Sequence, residues 1–105
     1  MEYLFNSQGQ HIANQVGDQL HAPSGENIGH WLEKENIFID MQGNYLGEII
    51  QGNRLMHNTQ SPHLDFNFGT RGDFGNAGTY RDPGRYPDIG TFEFWEDVPE
   101  VVLKP

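Results

Sequence analysis

Three of the six basic residues of this chain, Arg71, Arg81 and Arg85, fall in one Gly-rich stretch, GTRGDFGNAGTYRDPGRYPDIG, spanning residues 69–90. The aromatics Phe74, Tyr80 and Tyr86 are interleaved with them. A guanidinium fork matches a phosphate or carboxylate, exposed glycine N–H groups add donors, and aromatic faces stack on a planar ring. These six residues therefore form a candidate site for a small anionic, ring-bearing ligand, such as a nucleotide or a nucleotide-derived signal. The alternative is structural: the arginines pair with Asp73, Asp82 and Asp88 and tie down a solvent loop, an arrangement worth little energy.

Histidine gives a second lead. His21 and His57 occupy one column of the internal repeat described below, and two imidazoles facing each other across an axis can hold zinc, nickel or a ligand. The plainer reading is a column that tolerates polar residues on its outer face, so no metal site is expected; Trp31, His21 and His57 stand as secondary ligand contacts. His30 reads as exposed or half-buried beside Trp31. The carboxylates Asp40, Glu48 and Asp65 are scattered, and no Ser or Thr has a nucleophile-elbow context. No phosphate-loop or dinucleotide fingerprint is present, since no strand-loop-helix context follows the Gly-rich tract. The expectation is a protein without catalytic residues or a cofactor.

The chain has 105 residues, a net charge of −9 from 15 acidic against 6 basic residues, and no cysteine. That acidity disfavours a nucleic-acid polymer or an anionic membrane as partner. Without cysteine there are no disulfides or thiolate sites. The opening MEYLFNSQGQH lacks a basic region and a continuous apolar run, so no secretory leader is expected, and no stretch reaches the length of a membrane span. A single domain in a reducing cytoplasm is the simplest expectation. Hydrophobic content of 35% with 13 glycines implies a small core and many turns, which favours homo-oligomerisation.

The elements that must position these residues come from a repeat. LFNSQGQHIANQV, LHAPSGENIGHWL, FIDMQGNYLGEII and MHNTQSPHLDFNF start at Leu4, Leu20, Phe38 and Met56, spaced 16, 18 and 18 residues. One column holds those four residues; a second holds Ile12, Ile28, Leu46 and Leu64; a third holds Val16, Leu32, Ile50 and Phe68. The turn column is Gly9, Gly25, Gly43 and Ser61, and glycine there suits a tight hairpin with positive φ. Ser61-Pro62 must turn by a type I or Asx-like route. The reading is four β-hairpins over residues 4–68 whose apolar columns share one interior. Residues 69–90 then form a long loop that its aromatics pack down, and residues 91–105 a C-terminal strand (Thr91 to Trp95) and an apolar tail (Val101 to Leu103). No helix is expected.

The turn phrases SQGQHIA, SGENIGHW and MQGNYLGEI, followed by GNAGTYRDPGRYPDIG, resemble the four-fold β-flower domain of bacterial proteins, named for four pseudo-symmetric hairpins around an axis. The resemblance implies an all-β fold and hands over no catalytic or binding residues. The functional expectation is a non-enzymatic, bacterial or phage protein that sequesters or senses a small anionic ligand. Its rivals are a structural or protein-interaction module using Phe92, Phe94 and Trp95, and a carboxylate-dependent hydrolase.

Overall fold

In a computed structural model that describes residues 1–78, 80–90 and 92–103, the chain is an all-β protein built on a closed seven-strand barrel. The strands are β1 (Glu2–Phe5), β2 (His11–Val16), β3 (Gln19–His21), β4 (Asn27–Leu32), β5 (Ile37–Asp40), β6 (Tyr45–Ile50), β7 (Arg54–Asn58) and β8 (Trp95–Asp97). Each of β1 to β7 pairs antiparallel with the next, and a parallel pairing of Phe5 with Arg54 closes the ring. β8 takes the rest of the β7 edge, pairing with Met56–Asn58. No helix among the described residues is long and apolar enough to cross a membrane.

The first three repeats form hairpins, β1–β2, β3–β4 and β5–β6. Gly9, Gly25 and Gly43 sit at φ +84°, +100° and +90°, conformations that a Cβ disfavours. All three hairpins carry the same irregularity: opposite Leu4/Phe5, Leu20/His21 and Phe38/Ile39 the partner strand skips one residue. The skipped residues are Ile12, Ile28 and Leu46, three of the four members of one column, each the extra residue of a β-bulge. The bulge lets consecutive residues such as Ile12 and Ala13 both join the interior cluster with Leu4, Leu20, Ile28, Phe38, Leu46 and Leu55. Seven strands enclose a lumen that side chains fill. The third column, Val16, Leu32, Ile50 and Phe68, is only half-buried.

The fourth repeat departs from the expectation. Directly opposed residues share a face, and Ile49 opposes Leu55 while Glu48 opposes Met56. The interior position of β7 is therefore Leu55, one residue before the expected Met56. Residues 62–65 turn instead of forming a second strand, and Leu64 is 41% exposed. The Ser61 Oγ accepts the His63 N–H at 3.1 Å, so Ser61-Pro62 initiates a side-chain-supported turn. The partner that β7 lacks is supplied by β8, whose bounds correct the expected strand from Thr91 to Trp95; Thr91 itself lies outside the described residues. The expectation of no helix is also corrected. Glu100–Leu103 forms a one-turn helix, α1, which seats Leu103 and Val98 in the interior cluster and plugs the end of the barrel. Asp97 fixes that plug to the first hairpin turn, its carboxylate accepting the Ser7 N–H and hydroxyl, both at 2.8 Å.

Residues 67–78 and 80–90 wrap the outside of the barrel at the hairpin-turn end as a strap. Its backbone N–H groups at Phe68, Ala77 and Tyr86 donate to the carbonyls of Gly43, Gly25 and Gly9 at 2.8, 2.8 and 2.9 Å. The anchors are nine residues apart, and the sequence has the same period: NFGTRGDFG (67–75) is followed by NAGTYRDPG (76–84). Within each unit an Asn and an Asp side chain accept the N–H of the glycine two residues on, from Asn67 to Gly69 and Asp73 to Gly75, then from Asn76 to Gly78 and Asp82 to Gly84. Asp88 repeats the bond to Gly90. These Asx turns stiffen a segment that has no ladder of its own.

Candidate functional site

The strap lies over the outward face of the hairpins, where residues of alternate parity to the core project. Tyr86 packs on Phe5 with ring centroids 4.4 Å apart and lies under the Arg54 guanidinium at 5.8 Å. Tyr80 contacts His11 at 5.3 Å and Tyr3 at 5.8 Å. Phe74 stands edge-on to His30 at 5.6 Å, and its N–H donates to the Asn27 Oδ1 at 3.1 Å. Asp73, Asp82 and Asp88 hold the strap through the glycine N–H bonds above.

The six strap residues expected to form one site are divided. Arg71 and Phe74 line a groove of about 390 Å3 with His30, Trp31, Asp18 and Gln19. Tyr80 and Arg85 line a cleft of about 460 Å3 with Gln10, His11, Asp82 and Gly84. Arg81 is exposed on the strap and lines neither hollow, and Tyr86 borders a third hollow with Tyr3, Phe5 and Pro83. Of the secondary candidates, Trp31 belongs to the Arg71 groove and packs on Phe38 at 4.8 Å. His21 is buried, its Nδ1 bonded to the Gly25 carbonyl and its Nε2 to Gln19 Oε1. His57 is half-buried with Nδ1 on the Leu46 carbonyl. Both rings are thus engaged within the protein, and no cluster of three or more potential metal ligands occurs among the described residues.

The carboxylates weighed for hydrolysis have structural partners. Asp40 Oδ1 accepts the N–H groups of Gln42 and Asn44, both at 2.9 Å, and Glu48 accepts the Tyr45 hydroxyl at 2.7 Å. Asp65 is exposed in the turn of the fourth repeat.

The expectation of an exposed or half-buried His30 is corrected. The residue is 4% exposed, and its Nε2 is buried without a hydrogen-bond partner. Burial, then the nearby Arg71 charge, lowers its pKa from the ordinary 6.5, with Asp73 opposing. The ring is therefore neutral near pH 7, its Nε2 is out of contact with solvent, and other atoms of His30 line the Arg71 groove. An unsatisfied buried polar atom is costly and calls for an explanation. Asn14 Nδ2 is the other such atom among the described residues. Asn14 and His30 stand ten residues after Leu4 and Leu20, the same column of the repeat, and the third member, Glu48, is the one bonded to Tyr45. The signal that could have exposed the column is its run of polar residues, Asn14, His30 and Glu48, inside otherwise apolar strands.

No family model, curated protein or solved structure matches this chain.

Proposed function

We propose that this is a small non-enzymatic binding protein that takes a small anionic, ring-bearing ligand, nucleotide-derived, into the groove between β4 and the strap. Arg71 supplies the charge for a phosphate or carboxylate, and Phe74 and Trp31 supply faces for a planar ring. Asp18 offers a carboxylate acceptor to ring amines or sugar hydroxyls. The observation that carries the reading is the buried, partnerless Nε2 of His30 beside Arg71. A ligand atom reaching it would satisfy a group whose exposure to neither water nor protein is otherwise a net cost. The groove volume falls within the usual range for small-molecule sites, roughly 300 to 1,000 Å3. Sequestration or sensing requires no turnover, in keeping with Asp40 committed to backbone partners and Glu48 to Tyr45.

The test is calorimetry with the four ribonucleoside 5′-monophosphates. Saturable binding that Arg71→Ala and His30→Phe each weaken by about tenfold or more supports the reading, since each removes one polar contact to the ligand. Binding that both variants leave unchanged removes it.

A protein-interaction module is the second reading, favoured by Phe94. This residue is 51% exposed and sits at φ +68°, a costly conformation for a bulky side chain. Its carbonyl accepts the Thr59 N–H at 2.7 Å, so the turn that displays the ring is held from behind. Phe94→Ala abolishing partner capture while nucleotide binding persists is the discriminating result. On architecture, we take the barrel as a variant of the four-fold β-flower, in which three petals share turn and bulge and the fourth keeps its first strand. Homo-oligomerisation is part of the proposal and is read by light scattering.

A further inference from the structure

The groove at β4 and the cleft at β2 have the same inventory. Each lies between the second strand of a hairpin and the strap, and each is lined by one His, one Arg, one Asp, one Gln and at least one aromatic ring. In the groove these are His30, Arg71, Asp18, Gln19 and Phe74 with Trp31. In the cleft they are His11, Arg85, Asp82, Gln10 and Tyr80. Resting on the reading of the groove above, we propose that the His11 cleft is a second site for the same ligand class, so that each chain binds two anionic, ring-bearing molecules.

The cleft's groups are arranged for that task. Arg85 holds the Gln8 carbonyl through Nη2 at 3.3 Å, a long bond that leaves the rest of the fork for a phosphate or carboxylate. Asp82 uses Oδ1 on the Gly84 N–H at 2.9 Å, and its second oxygen remains to accept from a ring amine. Tyr80 forms the aromatic wall, fixed by its contacts to His11 and Tyr3. His11 Nε2 is bonded to Asn14 Oδ1 at 2.6 Å. Asn14 is fully buried, so it orients the imidazole and leaves Nδ1 as the nitrogen available to a ligand. The column that leaves His30 partnerless in the groove therefore positions a histidine in the cleft.

Stoichiometry separates the two sites. Calorimetry with the same four monophosphates is expected to give two sites per chain. The double variant Tyr80→Ala/Arg85→Ala should leave one site, and Arg71→Ala/Phe74→Ala should leave the other. Arg85→Ala alone should weaken the cleft about tenfold or more, the loss of one charge-assisted contact. One site per chain, lost in Arg71→Ala and untouched in Arg85→Ala, overturns the second site and leaves the groove intact. One site lost in Arg85→Ala and untouched in Arg71→Ala overturns the reading of the groove. No binding of any monophosphate overturns both. All four side chains project from the strap, and far-UV circular dichroism confirms that each variant keeps the barrel.

Discussion

If the strap is held at the hairpin turns, the turn glycines must serve two purposes that substitution can separate. Gly9, Gly25, Gly43 and Gly52 all have positive φ, between +84° and +100°. At Gly52 a Cβ meets nothing within 4 Å, whereas at Gly9 it would overlap the Tyr86 carbonyl, and at Gly43 it would lie 2.5 Å from the Gly69 carbonyl oxygen. Gly52→Ala therefore pays only backbone strain, about 1 to 2 kcal/mol, partly offset by reduced freedom of the unfolded chain. Gly9→Ala adds displacement of backbone that cannot swing aside. That displacement breaks the Tyr86 N–H to Gly9 bond and disturbs the Ile89 N–H to Ser7 bond, each worth about 1 kcal/mol, and loosens Tyr86 from Phe5 for about 1 more. The expected losses are about 1 kcal/mol for Gly52→Ala and about 3 to 4 kcal/mol for Gly9→Ala. Gly43→Ala should resemble Gly9→Ala, and Gly25→Ala should fall between, because there the Cβ meets only the movable side-chain amide of Asn76. Urea denaturation reads the stabilities, and hydrogen exchange at the Phe68 and Tyr86 amides reads strap release. Equal losses for Gly9→Ala and Gly52→Ala, with both amides still protected, would refute a strap seated on the turns.

Asp97→Ala should cost about 2 kcal/mol, since it strips two charge-assisted bonds from Ser7 and frees the α1 plug; Asp97→Asn should cost less, and denaturation midpoints compare them. Burial, then hydrogen bonding to Glu48, raises the pKa of Tyr45 well above its ordinary 10. The unfolded chain therefore loses that proton first, and stability should fall as pH rises above about 10; Tyr45→Phe should flatten the alkaline slope in thermal melts. For His30 the folded pKa is lowered, so the unfolded chain gains the proton first, and stability should fall as pH drops below about 6.5. His30→Phe should remove that slope and raise the neutral-pH stability by about 1 kcal/mol, as a partnerless buried nitrogen disappears.

What could be read from sequence was what is local. The Gly turns and the columns Leu4/Leu20/Phe38 and Ile12/Ile28/Leu46 recur within each hairpin, so local pairing decides them. The fourth copy misleads because Met56 and Leu55 are both apolar, and only the pairing of Leu55 with Ile49 settles which one points inward. β8 was displaced by a few residues because its partner β7 lies far away in the chain, and pairing at that separation leaves no mark on periodicity. The strap's aromatics were visible and their division among three hollows was not, since that depends on which hairpin each part of the strap crosses. The unit was nonetheless written in the chain as N-x-G-T-x-x-D-x-G, an Asx-turn pattern rather than a hydrophobic one. His30, in the inner wall of the groove, was read as exposed or half-buried because a histidine taken alone is ambiguous.

The placement of the groove and the cleft follows from how the strap is anchored. Arg71 and Phe74 lie between the anchors at Phe68 and Ala77, and Tyr80 and Arg85 lie between those at Ala77 and Tyr86. Both hollows are therefore spanned by chain fixed at its two ends and stiffened by two Asx turns per unit. Such a wall loses little conformational freedom when a ligand arrives, which is where loop-built sites ordinarily forfeit affinity. The barrel face beneath supplies the opposite ingredient: His30 and Asn14 hold polar atoms out of water at a cost to folding, in the one column that both spans cross. Stiff walls above and unsatisfied polar atoms below are independent features of the chain, one from turn chemistry and one from the strand pattern. Their coincidence at the same two hairpins is the structural ground for the proposed binding role of the strap.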